Sequence, residues 1–187
     1  MKTYHIILII CIIIIFTFIS NKYKEVSMVR SKYDNKKYLV RDLKDKEEAA
    51  ITLSKINKNI ETLIEHFGNT SHKEIHQRLK NNYNSKNISE GSLNYKYTSY
   101  TVNKGEEVVF CLRDRKTERI HKFNTLMFVA LHEIAHIASV TEGHTSEFKK
   151  NFKIILNEAI SQGLYEYKKY SVNPETYCGT IINTNGI

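Results

Sequence analysis

The pattern of apolar and polar positions divides the chain into a uniform apolar run, a stretch of loose alternation, and a longer part dominated by helical repeats. From Ile6 to Ile19 no residue is charged. Lys24 to Val40 alternates loosely around Asp34-Asn35, which predicts a hairpin of about Val26–Lys32 and Lys37–Arg41. From Leu43 to Phe67 the apolar residues Ala49, Ala50, Leu53, Ile56, Ile60, Leu63, Ile64 and Phe67 recur at three and four, the signature of an amphipathic helix, with Gly68 as its stop. A shorter helix is predicted from His72 to about Tyr83. Tyr97–Asn103 and Glu106–Arg113 read as a second hairpin around Asn103-Lys104-Gly105. After the charged loop Arg113–Glu118, Leu126, Met127, Val129, Ala130, Ile134, Ala135, Ile137 and Ala138 make a helix apolar nearly all round, which predicts burial, with Asn124 as its cap. Phe148, Phe152, Ile155, Leu156, Ala159 and Ile160 define a last amphipathic helix, capped by Thr145 and stopped at Gly163. The fold class expected is α+β: a helical core with a hairpin or small sheet beside the buried helix.

The buried helix carries charge where its pattern leaves least room for it. It reads His132-Glu133-Ile134-Ala135-His136. Histidines at i and i+4 share one helical face, so both imidazoles can reach one ion. A glutamate directly after the first can act on a metal-bound water. Buried polar groups need partners, and a zinc ion is the simplest one that serves all three. Catalytic zinc usually takes three protein ligands. His144 is the preferred third, because Gly143 permits the positive-φ turn that returns the chain under the helix. Glu142 and Glu147 compete with it, since His-His-Glu sets also occur. A second pair at helical spacing, His72 and His76, lies on a polar helix and reads as solvated surface.

The seventeen residues Tyr4–Ser20 would span about 26 Å as a helix, just enough for a thin bilayer. The exit Phe18-Ile19-Ser20-Asn21 lacks a small-x-small cleavage site. A retained signal anchor is therefore expected over residues 1–21, in contact with membrane lipid, rather than a cleaved signal peptide. A basic juxtamembrane segment, 22–41, follows, and then a catalytic domain over 42–187. Residues 1–40 carry seven Lys/Arg against two acids, and the rest carries 21 against 18, so the excess of +8 sits mostly beside the anchor. The positive-inside rule then places the body on the cytoplasmic side of a single-pass membrane protein, or inside a membrane-bounded viral particle. Nucleic acid is a disfavoured partner, because no reading motif accompanies the charge. Cys11 lies in the apolar run; Cys111 and Cys178 can pair in a disulfide, but two buried thiols are the preferred reading, and neither belongs to a C-x-x-C pair.

The run from Phe128 to Phe152, where VALHEIAHIASVTEGHTSEFKKNF follows Phe128, resembles the zinc metallopeptidases of the WLM and SprT-like group. Within it, the likeness runs to membrane-anchored metallopeptidases of large nucleocytoplasmic DNA viruses. SYTVNKGEEVVFCLR and NPETYCG fit that group too. The match covers roughly residues 97–180 and is strongest over 126–152. The resemblance implies a zincin-like fold, Zn2+ on His132, His136 and His144, Glu133 as the catalytic base, and a protein or peptide substrate. The histidine spacing is not that of metzincins, and the cysteine-rich zinc ribbon often found in SprT-like proteins is missing. Two other classes fit the same residues: a membrane or virion structural protein with a bracing zinc, and a protease acting on protein–nucleic-acid complexes. Arg113, Tyr165 and Tyr177 are all candidates for a donor to the developing oxyanion.

Overall fold

A computed structural model describes residues 3–92 and 98–184. It is mixed α+β, with five helices and a five-stranded sheet among those residues. Helix α1 spans Thr3–Lys24. Strands β1 (Val26–Arg30) and β2 (Lys37–Arg41) form the expected antiparallel hairpin, turned at Asn35 with φ 62°. Helix α2 (Lys46–Phe67) and α3 (Lys73–Asn82) follow, then β3 (Ile88–Glu90). Strands β4 (Tyr100–Val102) and β5 (Glu107–Phe110) make the second hairpin; Tyr97, the start of the expected strand, lies outside the described residues. Helices α4 (Phe123–Ala138) and α5 (Ser146–Ser161) carry the apolar patterns around His132 and beyond His144. A small hairpin, β6 (Glu175–Tyr177) and β7 (Thr180–Ile182), closes the described chain.

The sheet order is β1-β2-β3-β5-β4. β2 and β3 run parallel, as do β3 and β5, and the α2–α3 pair makes the crossover between β2 and β3. Strand β4 is left at the edge, paired only to β5 among the described strands and packed against α4. The predicted stripe of α2 is buried from Ala49 to Phe67, apart from the half-buried Ile64, and packs on both β2 and α4. Helix α4 is the centre of the core: twelve of its sixteen residues are buried, with α2, α3 and α5 around it. Gly105, with φ 118°, lets the β4–β5 turn come close to α3 and α4, because a Cβ there would lie 2.7 Å from the Asn82 carbonyl oxygen.

Three expectations need correction. No helix among the described residues is long and apolar enough to cross a membrane. The anchor, its lipid contact through residues 4–20 and the single-pass location with a cytoplasmic body are therefore not upheld. The physical reason is how little of α1 is apolar: of its 22 residues only Ile6–Ile19, about 21 Å at helical rise, form the apolar run, against a hydrocarbon core of about 30 Å. Beyond it α1 continues through Asn21, Lys22 and Lys24. Second, the N-cap position of α4 is held by Lys122, whose side chain makes no capping bond, and Asn124 lies inside the helix. The Asn124 amide instead bridges to the backbone of Glu166, donating to its oxygen at 2.8 Å and accepting its N–H at 2.9 Å. Third, Cys111 and Cys178 are joined in a disulfide, with Cα atoms 6.3 Å apart, rather than left as thiols.

Candidate metal centre

Helical spacing brings His132 and His136 to one side of α4, and the turn at Gly143 (φ 76°) returns His144 to them. The His132 Nε2 lies 3.2 Å from the His136 Nε2 and 3.0 Å from that of His144. All three ligand atoms fall within 4.8 Å of one another, and no other group of three His, Cys, Asp or Glu among the described residues does so. One imidazole nitrogen offers either a single N–H or a single lone pair, so the His132 Nε2 cannot serve both neighbours well by hydrogen bonding. A cation between them can serve all three. Tetrahedral zinc with bonds of about 2.0–2.1 Å sets its ligand atoms about 3.3 Å apart, close to the spacing found here. The residues fit zinc.

The loop that delivers His144 is fastened by residues the sequence pattern does not single out for that task. Glu147 accepts the Val140 and Thr141 backbone N–H groups, both at 3.0 Å, and pairs with Arg78 at 2.9 Å. Arg78 also donates to the Ala138 carbonyl at 3.0 Å, tying α3 to the end of α4. Those N–H bonds hold the Glu147 carboxyl down at about 2. Glu147 is therefore a loop clasp, and Glu142 pairs with Lys104 at 3.3 Å. Thr145 caps α5 as expected, accepting the Phe148 N–H. Phe148 stacks on His136 with ring centres 4.3 Å apart, and Phe152 packs on His132 at 5.3 Å. His72 stands apart from the cluster, 3.9 Å from Glu158, and His76 lies beside Gly68.

Burial, reinforced by the neighbouring imidazoles, pushes His132 down to about 3 and His136 to about 4. Both are thus neutral at physiological pH, as metal ligands must be. Glu133 is only 5% exposed, and burial raises its carboxyl from 4.5 to about 8. These shifts set the pH dependence of the metal-free chain. Between about 3 and 6.5 the folded state binds fewer protons at the histidines than the unfolded state does, so their contribution to stability falls as pH falls. Between about 4.5 and 8 it binds more at Glu133, so that contribution falls as pH rises. Melting curves of the metal-free chain and its Glu133→Gln form should diverge across pH 5 to 8, the variant becoming relatively more stable with rising pH. A constant difference would contradict the buried-carboxyl account.

The cluster lies in a cleft. Its walls are β4 with Ser99 and Lys104, the α4–α5 aromatics, and the C-terminal hairpin with Tyr177, Thr180 and Ile182. Of the three candidate oxyanion donors, only Tyr177 lines this cleft. Arg113 is locked in a buried ion pair with Glu90 at 2.7 Å and a second pair with the more exposed Asp45 at 2.5 Å. Tyr165 is buried against Phe128.

The fold and site thus define an α+β protein with a three-histidine cluster in an open cleft. The chain is 40% identical over 192 residues to the uncharacterized protein R325 of Acanthamoeba polyphaga mimivirus, covering 98% of each, and it belongs to the same family. It is also 39% identical over 98 residues to the uncharacterized protein 136R of Invertebrate iridescent virus 6, an alignment covering 51% of this chain and 53% of that one. No family model matches the chain. Among solved structures, the crystal structure of Wss1 from Saccharomyces cerevisiae is similar, with a TM-score of 0.47 and 18% identity over 66% of this chain and 89% of that one.

Proposed function

We propose that the chain is a zinc-dependent peptidase of the WLM/SprT-like kind, in which His132, His136 and His144 hold the metal and Glu133 is the general base. The observation that carries the reading is the convergence of three imidazoles, with the His136 and His144 Nε2 atoms 3.2 and 3.0 Å from that of His132, beside a buried carboxylic acid in an open cleft. Zinc held there would supply Lewis-acid polarisation of a peptide carbonyl and a water of lowered pKa. Glu133 ionises more readily beside a cation than in the metal-free chain. It takes a proton from water as the scissile carbonyl is attacked and passes it to the departing amine. Strand β4 lines the cleft at the edge of the sheet among the described strands, where an extended peptide would lie alongside it. A bracing zinc needs four closed protein ligands, and only three gather among the described residues. That favours the catalytic reading.

The full chain, purified with zinc present, should hold one zinc per molecule and cleave members of a broad peptide library. Replacing His132, His136 or His144 by Ala should remove most of the metal. If His144→Ala keeps its zinc while Glu142→Ala or Glu147→Ala loses it, the third ligand is misassigned.

A further inference from the structure

The C-terminal hairpin is held against the site by ion pairs, a ring contact and a disulfide. Glu175 pairs with Lys122 at 3.0 Å and also with Lys168 and Thr125. Two residues on, Tyr177 packs against the His121 ring at 5.0 Å, and the next residue, Cys178, is bonded to Cys111 at the end of β5. Tyr177 is therefore fixed on both sides, yet it lines the cleft that holds His132 and Glu133.

Its hydroxyl has a defined set of partners. The Ser99 Oγ lies 2.6 Å from the Tyr177 Oη, and that same Oγ accepts the Cys111 N–H at 3.1 Å. A serine hydroxyl has one proton to give. With the amide bonded to its oxygen, Ser99 can direct that proton to the Tyr177 Oη. Either hydroxyl of this pair can be the donor, since the Ser99 Oγ keeps a second lone pair; when Ser99 donates, the proton of Tyr177 is left for an acceptor in the cleft. At 3% exposure the phenol is screened from water, so a hydrogen bond made there is stronger than one in solvent.

We propose that Tyr177 is a catalytic residue of this site, donating a hydrogen bond to the oxygen of the scissile carbonyl as negative charge collects on it. The proposal rests on the peptidase reading and adds the donor that reading lacks. No covalent bond at Tyr177 is made or broken, and its proton stays on Oη throughout. Donors held rigidly toward developing charge give their benefit without reorganising. The disulfide and the Glu175 pairs supply that rigidity, and Ser99 is a positioning residue acting through Tyr177.

The test uses the zinc-loaded full chain and its Tyr177→Phe form, which keeps the buried ring. Peptide hydrolysis and the affinity for a phosphinic peptide, whose oxyanion mimics the charged intermediate, are measured on both. The expected result is unchanged zinc content, KM within a few-fold, kcat lowered about 10²–10³-fold, and phosphinic-peptide affinity lowered at least about tenfold. Equal kcat and equal affinity overturn the role of Tyr177 and leave the peptidase reading standing. Absent hydrolysis in the wild type overturns the peptidase reading and, with it, the catalytic role of Tyr177, even if a tenfold affinity difference shows its hydroxyl bonding to a bound oxyanion. Neither hydrolysis nor phosphinic-peptide binding by the wild type overturns both. Should Tyr177→Phe fail to fold, Ser99→Ala decides: a drop of about tenfold in kcat at unchanged KM supports the proposal, and unchanged kcat overturns it.

Discussion

Glu133→Gln should leave the zinc content of the chain unchanged and lower peptide hydrolysis by at least about 10²-fold, the scale of general acid–base contributions. Glutamine keeps the size and much of the shape of the side chain. Glu133 sits one residue past His132, about 100° round α4, so it need not face the ion as the histidines do. Losing the carboxylate therefore removes a proton acceptor, not a ligand. The variant should also fold at least as well, because the carboxyl is buried and its ionisation is opposed by that burial. A variant as active as the wild type, measured on the same peptides, would remove Glu133 from the mechanism. A variant that loses its zinc would make Glu133 part of the metal's support instead.

Cys178→Ser lowers the stability of the oxidised chain by about 4 kcal/mol, the loop-closure value for a link across 67 residues. For a chain of this size that is a fall in Tm of roughly 8–16 °C. The wild type treated with a phosphine reductant should melt with the variant. The link joins the end of β5 to the hairpin that carries Tyr177, so the effect should be local as well as global. Hydrogen exchange over residues 175–182 should rise more than over α4. Coincident melts of oxidised wild type and Cys178→Ser would show that the disulfide contributes nothing.

The helices were legible because burial writes a strong period into them. The α2 stripe from Ala49 to Phe67 packs as its spacing predicts, and the all-round apolar character of α4 marks the centre of the core. The site was legible for the same reason. Two histidines on an otherwise apolar helix have few satisfactory environments, and Gly143-His144 placed the third within reach by local turn chemistry. What the pattern could not carry is pairing over distance. Strand β3 has one apolar residue in three, Ile88, and is buried because Glu90 meets Arg113 and the Arg41 N–H across its neighbours. No alternation announces such a strand. Its parallel pairing with β2 and β5 follows from the α2–α3 crossover, which local sequence does not encode. The disulfide is of the same kind, since its partners meet only through the tertiary fold. The loop clasp of Arg78 and Glu147 could have been suspected from Glu147 in the first turn of α5, but its partner lies on another helix. The expected membrane segment is not upheld because the apolar run fills only part of α1, and no helix among the described residues is long and apolar enough to cross a membrane.

X-ray absorption at the zinc edge of the purified full chain tests the central claim most directly. Three imidazole nitrogens and one oxygen, all at about 2.0–2.1 Å, are predicted, with an open position occupied by water. A zinc shell containing sulfur, a fourth protein ligand that closes the site, or a chain that binds no zinc at all would contradict the account.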